Sequence, residues 1–355
     1  MITVQSRLEE ISQILKQQDL KADTNIQALT QLYQACRSNA VSNSEDLLSS
    51  LILKALIRRT HAEAISGNIY DNTTDTPQIE LFNILIEKFP FVKFSQQLVN
   101  DAIISLLSQS ETATILDIGI GQGTQILGIL SRLPRDSRLR RLIIIGVEPF
   151  PEALSICTRR IEEISAHSNI DIQFYPIEAF IEKLDFEFVR NLCQGNLIVN
   201  ASLALHHIQT DIQRVKVLQA VKNLRPVGLY LIEPNVDHMD PDLSTRVRNS
   251  FHHFHALFQV IDRLEIKDQD KNSLKLFFGR EIEDILGKQE ADRYERHDLA
   301  TRWISHLEHC GFKNKSAMLD LPVRNSYGVE MNCTNEGFFG FTYDTETVLA
   351  VIYAS

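Results

Sequence analysis

The sequence predicts an α/β protein: a Rossmann-like core of parallel strands, completed by a C-terminal antiparallel hairpin and covered by a helical cap. Three observations lead there. From Thr112 onward short β-rich runs alternate with helical segments, the rhythm of βαβ units and a parallel sheet. The first 110 or so residues place their apolar side chains at helical spacing without strand-like alternation. Between Asp237 and about Asp292 the strand rhythm stops and helical spacing returns. With 355 residues the chain also exceeds the roughly 250 to 300 residues at which single cores stop growing, so a core with additions is expected.

Taken in order, Leu8, Ile11, Ile14 and Leu15, then Leu47, Leu48, Leu51, Ile52, Ala55 and Leu56, recur at three and four and assign residues 1–110 to an N-terminal helical cap. The polar, turn-rich stretch 69–78 (IYDNTTDTPQ) reads as a loop. The first part of the core, 111–236, carries five strands: TILDIG, RLIIIGVE, DIQFYPI, NLIVNAS and GLYLIEP. The insertion 237–292 begins with a helix (STRVRNSFHHFHALFQVIDRL) that turns Phe251, Phe254 and Phe258 inward; a charged linker, KDQDKNS, and a second helix from about Arg280 follow. The core resumes at 293–355 with a helix around Thr301 to His309, a strand near Lys313 to Leu319, and the runs FFGFTY and TVLAVIY as a hairpin about Asp344 to Glu346.

Composition narrows the function classes. Hydrophobic residues make up 44% and charged residues 23%, which are globular values, and no run of 18 apolar residues offers a membrane span. The start lacks the basic, apolar and cleavage regions of a signal peptide, so a cytoplasmic location is expected, with no membrane partner. Five scattered cysteines without a C-x-x-C pair suggest neither a disulfide framework nor a thiolate zinc site. A net charge of −10 argues against nucleic acid, whose phosphates are met by Lys and Arg. A small-molecule partner is expected instead, and a homodimer is compatible with the sequence.

The strongest chemical signal is ILDIGIGQGTQILGIL, where a strand ends at Asp117, a turn holds Gly119, Gly121, Gln122 and Gly123, and a helix begins near Thr124. Glycines at such a turn allow positive φ and bring a ligand against bare backbone, while the helix start offers unpaired N–H groups to an anion. The anion expected is the carboxylate of S-adenosylmethionine. A dinucleotide loop would need a third glycine where Thr124 stands, and no Gly-Lys-Ser or Gly-Lys-Thr marks a phosphate loop. Glu148, ending the second strand, can accept both ribose hydroxyls. Glu178, ending the third, lies at the height of an adenine amine, and Asn200, ending the fourth, completes the cofactor set. Beyond Asn200 stand His206 and His207, placed to take a proton from a substrate. Glu233, Asn235 and His238 occupy the same edge after the fifth strand, Glu233 joining the catalytic set. In the run Phe251 to His255, His252 and His255 share a helix face but no acidic residue at helical spacing completes a ligand set, so no metal is expected.

Four segments resemble the GRAS domain: FPFVKFSQQLVNDAI, with Pro90, Lys93, Phe94 and Asn100; the glycine turn; ALHHI with IEPNVDH; and DRYERHDLATRWISHLEHCGF, with Glu295, Arg296, His297 and Trp303. The closing FFGFTYDTETVLAVIYAS is similar to the family's C-terminal hairpin, with Tyr353 near the place of its usual tryptophan. The resemblance, over roughly residues 79 to 355, implies a class I methyltransferase core with a helical cap. The intact glycine loop points to the family's bacterial branch rather than to the plant regulators that have lost it. The function so expected is S-adenosylmethionine-dependent methylation of a small organic molecule enclosed between core and cap, with Lys93, Phe94, Asn235, His238 and Phe254 facing the substrate. The alternative is a non-catalytic ligand-binding or regulatory GRAS protein, and a nicotinamide oxidoreductase is disfavoured by Thr124.

Overall fold

A computed structural model describes residues 4–16, 22–40, 43–60, 78–134 and 137–355. The loop expected at 69–78 falls almost wholly outside them. Five helices come first: α1 (Val4–Leu15), α2 (Asp23–Arg37), α3 (Ser44–Thr60), α4 (Gln78–Lys88) and α5 (Pro90–Ser108). In α3 every residue from Leu47 to Ile57 is buried, as expected of a helix with neighbours on all sides. Pro90 opens α5, where its fixed φ suits the first helical turn and no N–H is lost.

The five expected strands are β1 (Thr112–Ile118), β2 (Arg141–Glu148), β3 (Asp171–Glu178), β4 (Asn196–Ser202) and β5 (Gly228–Pro234). They alternate with α6 (Thr124–Arg132), α7 (Pro151–Ser165), α8 (Phe186–Leu192) and α9 (Asp211–Asn223). After β5 come α10 (Leu243–Arg263), α11 (Asp268–Ile282), a π-helical turn (Glu283–Gly287) and α12 (Ala300–His309). The chain closes with β6 (Asn325–Ser326), β7 (Val329–Cys333), β8 (Phe339–Tyr343) and β9 (Glu346–Ala354).

The strands form one mixed sheet in the order β3-β2-β1-β4-β5-β9-β8-β7-β6, with the first five parallel and the last four antiparallel. Helices cover both faces, so β1, β2 and β5 are near-continuous apolar runs rather than alternating ones. Ala113 and Ile115 of β1 join the apolar cluster on one face and Leu116 and Ile118 the cluster on the other. The first cluster runs on into the helices: α3 packs on α2, α10, α11 and the π-helical turn, and α1 on α10. Helix α5, counted with the cap from sequence, instead lies against α6, β5 and β9, and so belongs to the cover of the sheet.

Three sequence expectations change. The supposed linker KDQDKNS is the start of α11, because Asp268 and Asp270 suit the positive end of a helix while Ser273 and Leu274 are already buried. Around Lys313 to Leu319 a short 3₁₀ turn, Ser316–Met318, replaces the expected strand, and only Asn314 bridges to Ala354. The hairpin of β8 and β9 is extended by β7 and β6, whose five- and two-residue lengths carry too little alternation to read.

Candidate functional site

Strand order reverses between β1 and β4, and ligands of open α/β sheets bind outside the carboxyl ends at such a point. The glycine loop lies there. Gly119, Gly121 and Gly123 all adopt left-handed φ, at 75°, 53° and 79°, where a Cβ is strained. Their surroundings differ. A Cβ on Gly119 would meet the Cβ of Ala204 at 2.6 Å and one on Gly123 the Cys157 sulfur at 2.7 Å, whereas one on Gly121 would meet nothing within 4 Å. The loop thus packs at two glycines and faces open space at the third.

Glu148 holds this loop: its Oε2 accepts from the Gly121 N–H at 3.0 Å and its Oε1 from the Phe150 N–H at 3.1 Å. Burial raises its pKa above the ordinary carboxylate value. Glu178 stands beside it in register and is exposed. Gln122 is half-buried, and its carbonyl accepts from Arg160 at 3.4 Å. Beneath the loop runs a chain of buried polar groups. Asn200 donates to Asp117 Oδ1 at 2.9 Å and to Gln125 Oε1 at 3.2 Å, and Gln125 donates to Asn100 at 3.0 Å. Burial pushes Asp117 up to about 7. The Oδ1 of Asn200 is buried with no hydrogen-bond partner among the described residues. Asp117 and Asn200 therefore support the loop from below. The open side of Gly121, the buried carboxylate of Glu148 and the uncapped start of α6 fit a ligand with a carboxylate and a ribose.

Behind this loop, β4 and β5 lead into a second cluster. Oε1 of Glu233 accepts from the Ala204 and Leu205 N–H groups at 3.3 and 2.8 Å, and its Oε2 lies 2.6 Å from Nδ1 of His206. Nε2 of His206 is 3.2 Å from Oε2 of Glu295, which also meets His297 Nε2 at 3.2 Å and His207 Nδ1 at 3.7 Å. His207 stacks on Tyr294. His238 is fully buried, its Nδ1 3.1 Å from His297 Nδ1 and its Nε2 3.1 Å from Ser250 Oγ. Arginines pin the segment that carries Glu295 and His297. Arg214 pairs with Asp298 at 2.7 Å, reaches the Arg296 carbonyl and lies over the Trp303 ring, while Arg293 binds the His238 carbonyl. Asp284, in the π-helical turn, accepts from the Tyr294 and Glu295 N–H groups.

These surroundings bear on the catalytic assignment. Burial opposes the charge on His206, but with only protein groups around it Glu233 and Glu295 outweigh that and push the imidazole up to about 10. Burial, with the charge of His206, pushes His207 down to about 3, too weak a base to accept a proton near neutrality. Glu233, in β5, spends both oxygens on the turn after β4. Burial, with the Glu295 charge, pushes Glu281 up to about 8.

The residues expected to face substrate scatter. Lys93 is exposed and lines a cleft of about 500 Å³ with Gln97, Thr124 and Arg132, on the α5 and α6 side. Phe94 is half-buried against the first cluster. Asn235 donates to the Thr347 carbonyl and accepts from Ala300 N–H, tying β9 to the start of α12. His238 and Phe254 are stacked in the core and reach no open surface. Sequence reasoning missed the buried partners Arg214, Asp284, Arg293 and Asp298, which carry no local motif; Glu295 and His297 were visible only through the family resemblance.

Comparison with known proteins identifies the class. Residues 4–338 match the model of the GRAS domain family, and the chain belongs to that family. The Scarecrow-like transcription factor PAT1 of Arabidopsis thaliana is 25% identical over 251 residues, covering 67% of this chain and 51% of that protein. The chitin-inducible gibberellin-responsive protein 1 of rice (Oryza sativa subsp. japonica) is 25% identical over 336 residues, covering 87% and 58%. The chain spans about half the length of the curated relatives it matches. The solved structure of SCL7 from Oryza sativa superposes over 100% of both chains with a TM-score of 0.80 at 21% identity. These relatives overturn the expectation of a methyltransferase, because they are named as a transcription factor and a responsive protein rather than as transferases. They are plant proteins and lend no support to a bacterial branch.

Proposed function

We propose that this chain is a non-catalytic regulatory protein of the GRAS type that keeps a ligand seat at its glycine loop. The sheet order supports reading the core as the class I methyltransferase type, put to recognition rather than to transfer. The observation that carries the reading is Gly121: left-handed, backed by Glu148, and facing open space where its two neighbouring glycines are packed shut. The ligand proposed is S-adenosylmethionine or its demethylated relative, with the amino-acid carboxylate at the start of α6 and the ribose at Glu148. Helices α1 to α3 with α10 and α11 form the cap through which bound ligand alters the outer surface, in a cytoplasmic protein. An intact loop of this kind is the feature that fits the bacterial branch.

Calorimetric titration with both compounds tests it, alongside mass-spectrometric analysis of a mixture of small acids, phenols and amines incubated with S-adenosylmethionine. Saturable heat without any methylated product is the expected result, and Gly121→Val removes the heat. Absence of heat with either compound at millimolar concentration sinks the ligand seat, and methylated product sinks the non-catalytic reading.

A further inference from the structure

The cluster behind the loop crowds lone pairs together, and its own groups can answer them only by holding an extra proton on an imidazole. Nδ1 of His206 lies 2.6 Å from a carboxylate oxygen of Glu233. A carboxylate only accepts, so Nδ1 carries the proton and, in the neutral ring, Nε2 is a lone pair. His297 is held in the same manner from its far side: Nδ1 meets Nδ1 of His238, itself anchored on Ser250. When His297 donates through Nδ1, its Nε2 is a lone pair too. Both Nε2 atoms point at one oxygen of Glu295, each from 3.2 Å. Three electron-rich atoms thus converge, and something positive has to stand among them, either protons or one metal ion.

Geometry favours the ion. The donor atoms of His206, Glu295 and His297 all lie within 4.8 Å of one another. Ligands about 2.0–2.1 Å from a tetrahedral zinc stand roughly 3.3–3.4 Å apart, close to the two measured edges. A metal-binding imidazole characteristically gives its other N–H to a carboxylate or another fixed acceptor. Glu233 serves His206 in this way, and Glu233 is itself fixed by the Ala204 and Leu205 N–H groups. The ion pairs of both Glu233 and Glu295 are to histidines, and imidazole with carboxylate is a donor set for zinc and its neighbours rather than for calcium or magnesium. His207, 29% exposed at its side chain, gives the site a way out to solvent.

We propose that His206, His297 and Glu295 bind a divalent transition metal of the zinc class, with Glu233 and His238 orienting the two imidazoles. Three protein ligands leave a fourth position open for water or an anionic ligand. The ion ties the turn after β4 to the segment before α12. His252 and His255, the histidines conspicuous in sequence, take no part.

The test uses the full chain, stripped with chelator and then titrated with zinc(II) or cobalt(II). One equivalent of either is expected to bind, with cobalt giving the intense visible bands of a low-coordinate site and zinc bleaching them. Glu295→Gln and His297→Gln abolish the bands, Glu233→Gln weakens binding about 10- to 100-fold, and His309→Gln, on the outer face of α12, changes nothing. Circular dichroism reports whether each variant folds. Should the ligand variants unfold, the wild-type spectrum decides alone: only the faint bands of octahedral aqueous cobalt, with no stoichiometric zinc by elemental analysis, overturns the site and leaves a proton-bridged cluster. Full-strength bands in a folded His297→Gln chain overturn it equally.

Discussion

Around Gly121 the backbone faces open space, whereas a few residues away the side chains of His206, Glu233, Glu295, His297 and His238 converge on one another in a buried network. The first region is one contiguous motif on one turn, held by the hydrogen bond that Gly121 N–H donates to Glu148. The second is assembled from the turn after β4, the end of β5, the start of the insertion and the segment before α12. One faces outward along a single turn, and the other ties distant segments together in the interior. The two touch where Ala204 packs under Gly119, so the closed region sets the floor of the open one.

The largest expected effect falls on the closed region. Arg214 is fully buried, pairs with Asp298 and lies over Trp303. Removing one partner of a buried pair leaves an uncompensated charge and typically costs about 3–5 kcal/mol. Because Arg302 also reaches Asp298, at 3.0 Å, the lower end is expected for Arg214→Ala. Beside the open cleft, Arg132 pairs with Asp101 at the surface, where such pairs contribute about 0–1 kcal/mol. Denaturant unfolding of both alanine variants measures the contrast. Equal losses would mean that the arginine network is not what holds the segment before α12.

A smaller effect, with a defined pH dependence, sits at the floor of the loop. Burial raises Asp117 from its ordinary value to about 7 in the folded chain. The sign follows from linkage: at pH below about 4 the group is protonated folded or unfolded and costs nothing. As pH rises toward 7 the unfolded chain loses its proton first, so the folded state is penalised, fully so above 7. Asp117→Asn keeps an acceptor for Asn200 and removes the titration. Its stability relative to wild type should therefore increase between pH 4.5 and 8, read by urea unfolding at each pH. A flat difference would place the Asp117 pKa near that of an ordinary aspartate.

Legibility in the sequence follows the same division. Strands β1 to β5 and the glycine loop are contiguous in sequence, so periodicity and spacing expose them. The buried cluster is not, because His206 owes its chemistry to Glu233, Glu295 and the packing around them, which no local pattern shows. His206 and His207 were read as bases from their place at the sheet edge, whereas their neighbours push one imidazole well above and the other well below its ordinary value. The KDQDKNS segment failed for a related reason. Its charge suggests solvent, but the buried Leu274 and Phe278 further along α11 dock the helix, and packing outweighs composition.

The smallest effect is also the sharpest test of the division, since it compares like with like inside the loop. Gly119 and Gly121 both hold left-handed φ, at 75° and 53°, so alanine at either incurs the backbone strain of about 1–2 kcal/mol. At Gly119 the new methyl would also lie 2.6 Å from the Ala204 Cβ, which belongs to backbone fixed by Glu233, and overpacking of this kind adds about 1–3 kcal/mol. At Gly121 nothing lies within 4 Å, so strain is the whole cost. Thermal or urea unfolding should therefore rank Gly119→Ala below Gly121→Ala in stability by at least about 1 kcal/mol. Ligand titration should show the reverse sensitivity per unit of stability lost, because the methyl at Gly121 projects into the space the ligand would occupy. If Gly121→Ala is as unstable as Gly119→Ala, the space above it is not open in solution. If it leaves ligand affinity untouched while wild type binds, the seat lies elsewhere along the loop.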